Sequence, residues 1–127
     1  MSDASIRKAG PADVSPGQAT PGMTRKEAFS TGRMWSGLLF TEPGMMSGWH
    51  HHGQHETTIY VLTGLLRMEF GAGGREVTTA GPGDFLYVSP GAVHRESNPT
   101  DERATAVVVR AGTGDVVVNV GGPEPDR

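Results

Sequence analysis

Turn-forming residues divide this chain into short apolar segments that recur about every ten residues, which is the spacing of strands in a β-sandwich or barrel. Glycine and proline supply the divisions, with 19 and 9 residues among 127. Examples are Thr63-Gly64 and Gly71-Ala72-Gly73-Gly74, which are typical of tight turns between paired strands. An antiparallel barrel or jelly roll protects the edges of such short strands. The sequence therefore predicts an all-β fold with little or no helix.

The apolar segments predict seven strands inside a single domain. Their ranges are 34–41, 57–62, 65–70, 76–79, 85–88, 104–110 and 116–120. Residues 24–30 could form one or two helical turns, too short to define an architecture. Residues 1–22, rich in Ala, Ser, Gly and Pro, are predicted to be a flexible arm, residues 23–120 a single barrel domain, and residues 121–127 a flexible tail.

Charge and cysteine content narrow the possible partners and chemistry. The net charge is −3 with neutral histidines, and no basic stripe is visible, so neither nucleic acid nor an anionic membrane is an expected partner. The chain has no cysteine, which excludes a disulfide framework, a thiolate metal site and a cysteine nucleophile. The first residues lack an apolar run long enough for a signal peptide or membrane span, so a cytoplasmic location is expected.

Histidines are concentrated in one short segment. Four of the five lie between positions 50 and 55, namely His50, His51, His52 and His55. Imidazole is a common ligand for Zn, Fe, Ni, Cu and Mn. Alternate residues of an extended segment share a face, so His50 and His52 point the same way and His51 points the opposite way. A solvated polar loop is the alternative interpretation, but the clustering favours a metal site.

Two motifs around this segment resemble those of the cupin superfamily, in its small single-domain form. The first cupin motif places Gly, His-x-His, Glu and Gly at set intervals, and the second places Gly, Pro-x-Gly, His and Asn. The matching residues of the first motif are Gly44, His50, His52 and Gly64, and those of the second are Gly83, Gly91, His94 and Asn98. Ser89 stands where the second motif usually has Pro, with Pro90 beside it.

The resemblance implies a double-stranded β-helix with a metal ion at its centre, held by His50, His52, a Glu and His94. The Glu position is the departure, because it falls on Thr57. Strand parity gives His55 the same face as position 57, so His55 is one candidate fourth ligand. Glu56 is the other, since a bulge near the strand start could turn its carboxylate inward. The two alternatives stay open at the level of sequence.

Further residues around the two motifs are candidates for the pocket and for proton transfer. Arg95 and Glu96 are expected to form a solvated ion pair or a contact at the rim. Tyr87 and Glu96 are the candidates for a general base, and Glu56 joins them if it is not a metal ligand. A pocket in the barrel mouth would be lined by aromatic residues and methionine, although such residues at strand spacing more often belong to the core. The candidate lining residues are Trp35, Met45, Trp49, Phe85 and Tyr87.

The predicted function is that of a metal-binding protein acting on a small organic molecule. One divalent transition metal ion is expected, with Fe, Mn, Ni and Zn not distinguished by this donor set. A metal-dependent enzyme of the dioxygenase, isomerase or lyase type is the first hypothesis. A non-catalytic module that binds or senses a small ligand or metal is the alternative. A homodimer is also predicted, because small barrels of this kind often exchange N-terminal strands.

Overall fold

Eleven β-strands and one 3-10 turn form the regular structure of the described residues, 4–17, 20–114 and 117–124, in a computed structural model of the chain. The strands are β1 Ser15–Pro16, β2 Met23–Ser30, β3 Met34–Thr41, β4 His50–His51, β5 Glu56–Thr63, β6 Leu66–Phe70, β7 Glu76–Ala80, β8 Phe85–Val88, β9 His94–Ser97, β10 Ala104–Ala111 and β11 Val118–Asn119. The 3-10 turn, Ala72–Gly74, lies between β6 and β7. The predicted all-β class with little or no helix is confirmed.

The strands form two antiparallel sheets. One has the order β1-β2-β3-β10-β5-β8 and the other the order β11-β4-β9-β6-β7. Side chains from both sheets, such as Ile59 and Val108 from the first and Leu66 and Met68 from the second, meet in one buried apolar cluster. The inner faces of the two sheets therefore pack against each other, as in a jelly roll.

Side-chain alternation places a polar layer at one end of this interior. Along β10, Ala104, Ala106, Val108 and Arg110 are all buried, which is the period of two expected for a strand with one inner face. In the register of β10 with β5, Arg110 pairs with Thr57, and both side chains are buried. The inner face therefore changes from apolar to polar towards the end of β10.

The N-terminal part of the chain differs from the sequence expectation. Residues 24–30 are not helical but belong to β2, which pairs with β3. The inward positions of β2 include the buried Arg25 and the half-buried Glu27, so its polarity hides the strand period. Within the predicted arm, Ser15–Pro16 pairs with β2. Of the segment predicted at 116–120, β11 covers Val118–Asn119, and residue 116 lies outside the described residues.

Candidate metal centre

Three histidines meet on the inner face of the second sheet. His50 on β4 lies directly opposite His94 on β9, and His52 follows two residues after His50 on the same face. All three are buried, whereas His51 between them is only partly buried. One possible ligand nitrogen from each of the three lies within 4.8 Å of the other two. The ring centroids of His50 and His94 are 4.4 Å apart.

Backbone carbonyls fix the rings of His50 and His94. The distance from His50 Nδ1 to the Gly48 carbonyl oxygen is 2.9 Å, and that from His94 Nδ1 to the Ala92 carbonyl oxygen is 2.8 Å. A carbonyl oxygen only accepts, so Nδ1 carries the proton in each ring and Nε2 carries the lone pair. Both Nε2 atoms are buried and have no hydrogen-bond partner. This arrangement orients a histidine for metal binding through Nε2.

Glu96 lies beside the same cluster. It follows His94 by two residues on β9 and is 3% exposed. Its Oε2 is 3.9 Å from His50 Nε2, and its Oε1 is 4.0 Å from His94 Nε2. The expectation of a solvated pair with Arg95 is wrong, because Glu96 points inward while Arg95 Nη2 donates to Glu69 Oε2 at 2.7 Å. The period of two along β9 was the sequence signal for this inward position.

The electrostatic environment favours the neutral form of His50 and the charged form of Glu96, which are the forms that bind a metal ion. Burial lowers the pKa of His50 below 6.5 and outweighs the opposite effect of Glu96. Burial alone would raise the pKa of Glu96, but His94, His50 and Arg25 together lower it below 4.5. At neutral pH, His50 is therefore a neutral imidazole and Glu96 a carboxylate, and metal binding requires deprotonated ligands.

The two candidate fourth ligands from the sequence lie elsewhere. His55 is buried, but its Nε2 is 3.1 Å from the carbonyl oxygen of Gly114, outside the three-histidine cluster. Glu56 is exposed and accepts a hydrogen bond from the Tyr87 hydroxyl at 2.9 Å. Thr57, at the position of the cupin Glu, is buried and its Oγ1 has no hydrogen-bond partner. The structure thus brings together His50, His52 and His94, and not His55 or Glu56.

Two buried arginines accompany the acidic group. Arg25 on β2 and Arg110 on β10 are each 4% exposed. Burial lowers the pKa of Arg110 to about 10 and also lowers that of Arg25, while Glu96 opposes both shifts. The carboxylate of Glu96 therefore stabilises buried positive charge in the barrel interior as well as facing the histidines.

A cavity of about 190 Å³ opens beside His94. Its other lining residues are Met68, Phe70, Thr78, Leu86, Tyr87, Val88, Ser89 and Ala92. They come mainly from β6, β7 and β8, and β7 and β8 are the edge strands of their sheets. The cavity is therefore a mostly apolar entrance between the edge strands β7 and β8, where the barrel is open. The ring of His94, whose Nδ1 is held by the Ala92 carbonyl, forms part of its wall.

Of the five predicted lining residues, Tyr87 is the one in this cavity wall. Met45 is buried in the core, and the ring of Trp35 packs against that core while its Nε1 donates to Glu27. Trp49 lies under the guanidinium of Arg95, with the carbon atom Cζ 4.5 Å from the ring centroid. Phe85 is 70% exposed and packs against Tyr60. Parity assigns a face to each residue but does not show where the barrel opens.

Together, the fold and the site define a small β-barrel protein with a candidate metal centre in its interior. A family model described as Cupin domain matches residues 37–110, more than half of the chain. The chain therefore belongs to the cupin family, and the resemblance seen in its motifs is confirmed. A search of curated proteins finds no match.

Solved structures show the same architecture. An uncharacterized conserved protein with a double-stranded β-helix domain from Klebsiella pneumoniae is 23% identical, with a TM-score of 0.68 over 82% of this chain and 89% of that one. KdgF from Halomonas sp. is 18% identical, with a TM-score of 0.72 over 87% and 97%. A variant of oxalate decarboxylase from B. subtilis is 18% identical, with a TM-score of 0.74 over 94% of this chain but 34% of that one. At these identities the likeness shows a double-stranded β-helix fold.

Across the described residues, no helix has the length and apolar character needed to cross a membrane.

Proposed function

We propose that this chain is a metal-dependent enzyme that acts on a small organic molecule in the cavity beside His94. The observation that carries the proposal is the pair of buried, unpartnered Nε2 atoms of His50 and His94, each with its Nδ1–H held by a backbone carbonyl. An unpaired buried nitrogen is costly without a ligand. Two of them beside His52 and a carboxylate are explained by a shared cation.

The donor set fits one divalent transition metal ion. Imidazole nitrogens and a carboxylate suit Fe, Mn, Ni and Zn, and the choice among these depends on supply as well as geometry. Such an ion, when bound, would polarise a substrate oxygen or take part in oxygen chemistry, which covers the dioxygenase, isomerase and lyase classes. The residues that would hold it are His50, His52 and His94.

The cavity limits the substrate. A volume of about 190 Å³ admits a molecule of roughly ten non-hydrogen atoms, well below the usual size of drug-like ligand sites. Apolar side chains form most of the wall, and the hydroxyl groups of Thr78, Tyr87 and Ser89 offer hydrogen bonds. We therefore propose a small substrate that is apolar over most of its surface and reaches the metal centre at His94.

A non-catalytic module that binds a small ligand is the second candidate. The supporting observation is that Tyr87 and His94 are the titratable side chains among the described residues of the cavity wall. Tyr87 is also 61% exposed, and its hydrogen bond to Glu56 raises its pKa above 10. The cavity therefore has few groups for proton transfer at neutral pH.

A metabolite-depletion experiment distinguishes the two candidates. The metal-loaded protein and its His94→Ala variant are each incubated with a mixture of small metabolites, and the mixture is analysed by mass spectrometry. Loss of one compound with formation of a product, in the parent only, supports the enzyme. Retention of an unchanged compound on the parent protein contradicts turnover and supports the binding module.

We also propose a homodimer and a cytoplasmic location. The edge strand β8 carries the exposed rings of Phe85 and Tyr87, and exposed apolar edges favour association between chains. A mass of two chains by light scattering supports the dimer, and a mass of one chain contradicts it. Fractionation of cells that express the protein tests the location.

A further inference from the structure

The missing cupin glutamate leaves a gap in the donor set. Thr57 occupies that position, and its short side chain on β5 lies opposite Val88 of β8 and Arg110 of β10. The hydroxyl Oγ1 is buried without a partner. A threonine hydroxyl is a weaker ligand for a transition metal than a carboxylate. If a carboxylate completes the site, it must come from another strand.

We infer that Glu96 supplies the carboxylate ligand of this metal centre, from β9 rather than from the start of β5. The inference rests on the proposed metal site at His50, His52 and His94. The acidic ligand would then lie on β9, the strand that carries His94, instead of at position 57 on β5. The ligand set is then three histidines and one glutamate, with the glutamate at a position where the family motif does not place it.

Distances support this assignment. Two atoms bound to one ion, each at about 2.1 Å, are at most about 4.2 Å apart. A different oxygen of Glu96 approaches each histidine: Oε2 lies 3.9 Å from His50 Nε2 and Oε1 lies 4.0 Å from His94 Nε2, and each distance is within that limit. With one ligand atom per residue, the group that lies within 4.8 Å is His50, His52 and His94, so Glu96 would join it with both oxygens or after a small side-chain rotation. Oε2 is buried and has no hydrogen-bond partner, like the two Nε2 atoms that it faces. Three unpartnered polar atoms on one inner surface are what a shared cation would satisfy.

A structural role as counter-ion to the arginines is the alternative to be separated from this assignment. Arg25 and Arg110 both interact electrostatically with Glu96. The carboxylate oxygens nevertheless face the two imidazoles, at 3.9 Å from His50 Nε2 and 4.0 Å from His94 Nε2. A counter-ion role alone predicts that loss of the carboxylate changes stability and leaves metal affinity unchanged, so metal binding separates the two roles.

Metal-binding calorimetry with Mn²⁺ and Zn²⁺ tests the inference. The parent is compared with Glu96→Gln, with the double variant Thr57→Glu/Glu96→Gln, and with the control Glu69→Gln. Glu69 is also a buried glutamate, but it pairs with Arg95 away from the histidines. Glu96→Gln should lower the metal affinity by more than about 10-fold, which is the smallest effect typical for loss of a group that only supports the ligands. The metal affinity of Glu69→Gln should stay within about threefold of that of the parent. The double variant should regain most of the affinity that Glu96→Gln loses.

The outcomes separate this inference from the proposed function. No binding by the parent overturns both. Binding by the parent that Glu96→Gln leaves within about threefold overturns the role of Glu96 alone. If Glu96→Gln does not fold, as judged by circular dichroism, parent crystals soaked with Zn²⁺ decide. A Glu96 oxygen within about 2.2 Å of the ion supports the inference, and a distance beyond about 3 Å overturns it.

Discussion

His50 and His94 lie opposite each other on β4 and β9, and both bury Nε2 while their Nδ1 atoms face backbone carbonyls. A cross-strand pair is a rigid way to hold two ligands, because the sheet fixes both backbones. The carbonyls fix the tautomer as well as the ring orientation. The candidate metal centre is therefore preorganised by backbone groups that no side-chain substitution removes.

The metal-free protein should lose stability as the pH falls below 6.5. The folded-state pKa of His50 is lowered below its ordinary value of 6.5, so the unfolded chain takes up the proton first. Stability is then present above pH 6.5 and is lost as the pH falls towards the folded pKa. Melting temperatures of the parent and of His50→Gln between pH 7.5 and 5 check this. An equal pH dependence in the two proteins would contradict it.

A second loss of stability is expected at lower pH, when Glu96 takes up a proton. Its folded-state pKa lies below 4.5, so its contribution is present above pH 4.5 and is lost as the pH falls through the lower folded value. In Glu96→Gln this second, acidic decrease in melting temperature should be smaller. The same decrease in parent and variant would show that other carboxyl groups cause it.

His55→Ala should keep the metal but lose stability. The imidazole contacts the Gly114 carbonyl rather than the cluster, and its removal leaves a buried space and an unpaired acceptor. A destabilisation of about 1–3 kcal/mol is expected. Metal analysis and thermal melting measure the two effects. Loss of the metal from folded His55→Ala would restore His55 as the fourth ligand.

Filling the cavity should block the ligand and spare the metal. Thr78 lines the cavity from β7, so Thr78→Phe should lower turnover or ligand binding by more than about 10-fold, because bulk there excludes the substrate. Thr79→Phe is the matched control, since the next residue of the strand faces the opposite way. Metal content should match the parent in both variants. Equal ligand affinity in both would place the ligand elsewhere.

Gly64→Ala should destabilise the barrel more than Gly44→Ala. Both glycines have positive φ, +80° and +73°, so both substitutions strain the backbone by about 1–2 kcal/mol. At Gly64 an added Cβ would also lie 2.7 Å from Ala104 Cα, whereas at Gly44 it meets nothing within 4 Å. Chemical denaturation of the two variants measures the difference. Equal decreases in the free energy of unfolding would show that the turn between β5 and β6 adjusts to the added Cβ without destabilising the barrel.

The sequence predicted the fold well because the period of two and the turn residues are local signals. The strands Met34–Thr41 and Phe85–Val88 match their predicted bounds. By contrast, β9 buries His94 and Glu96, and a polar inner face looks like a loop in a hydrophobicity pattern. Arg25 hid β2 in the same way. His94 and Glu96 belong to the candidate site, so the weakest local signal in the sequence coincides with the residues proposed to carry the chemistry.

Parity had a second limit at the site. It predicted an inward His55, and that side chain is buried, but the ring lies just before β5 and reaches the Gly114 carbonyl instead of the cluster. The alternation of side chains along a strand assigns each residue to a face of the sheet, but it does not show towards which end of the barrel the side chain extends. The cavity shows the same limit, because Met68 and Thr78 of the β6–β7 hairpin meet Leu86 of β8 only where the edges of the two sheets come together.

Metal content per chain tests the central claim most directly. The protein is purified anaerobically without a histidine tag, and bound metal is measured by mass spectrometry for the parent, His94→Ala and the control His51→Ala. His51 lies outside the cluster, with Nδ1 accepting from the Gly53 amide at 3.0 Å. Near-stoichiometric metal in the parent and His51→Ala, lost in His94→Ala, is the predicted result. A parent that holds no metal and takes up none of Fe²⁺, Mn²⁺, Ni²⁺ or Zn²⁺ would contradict the account.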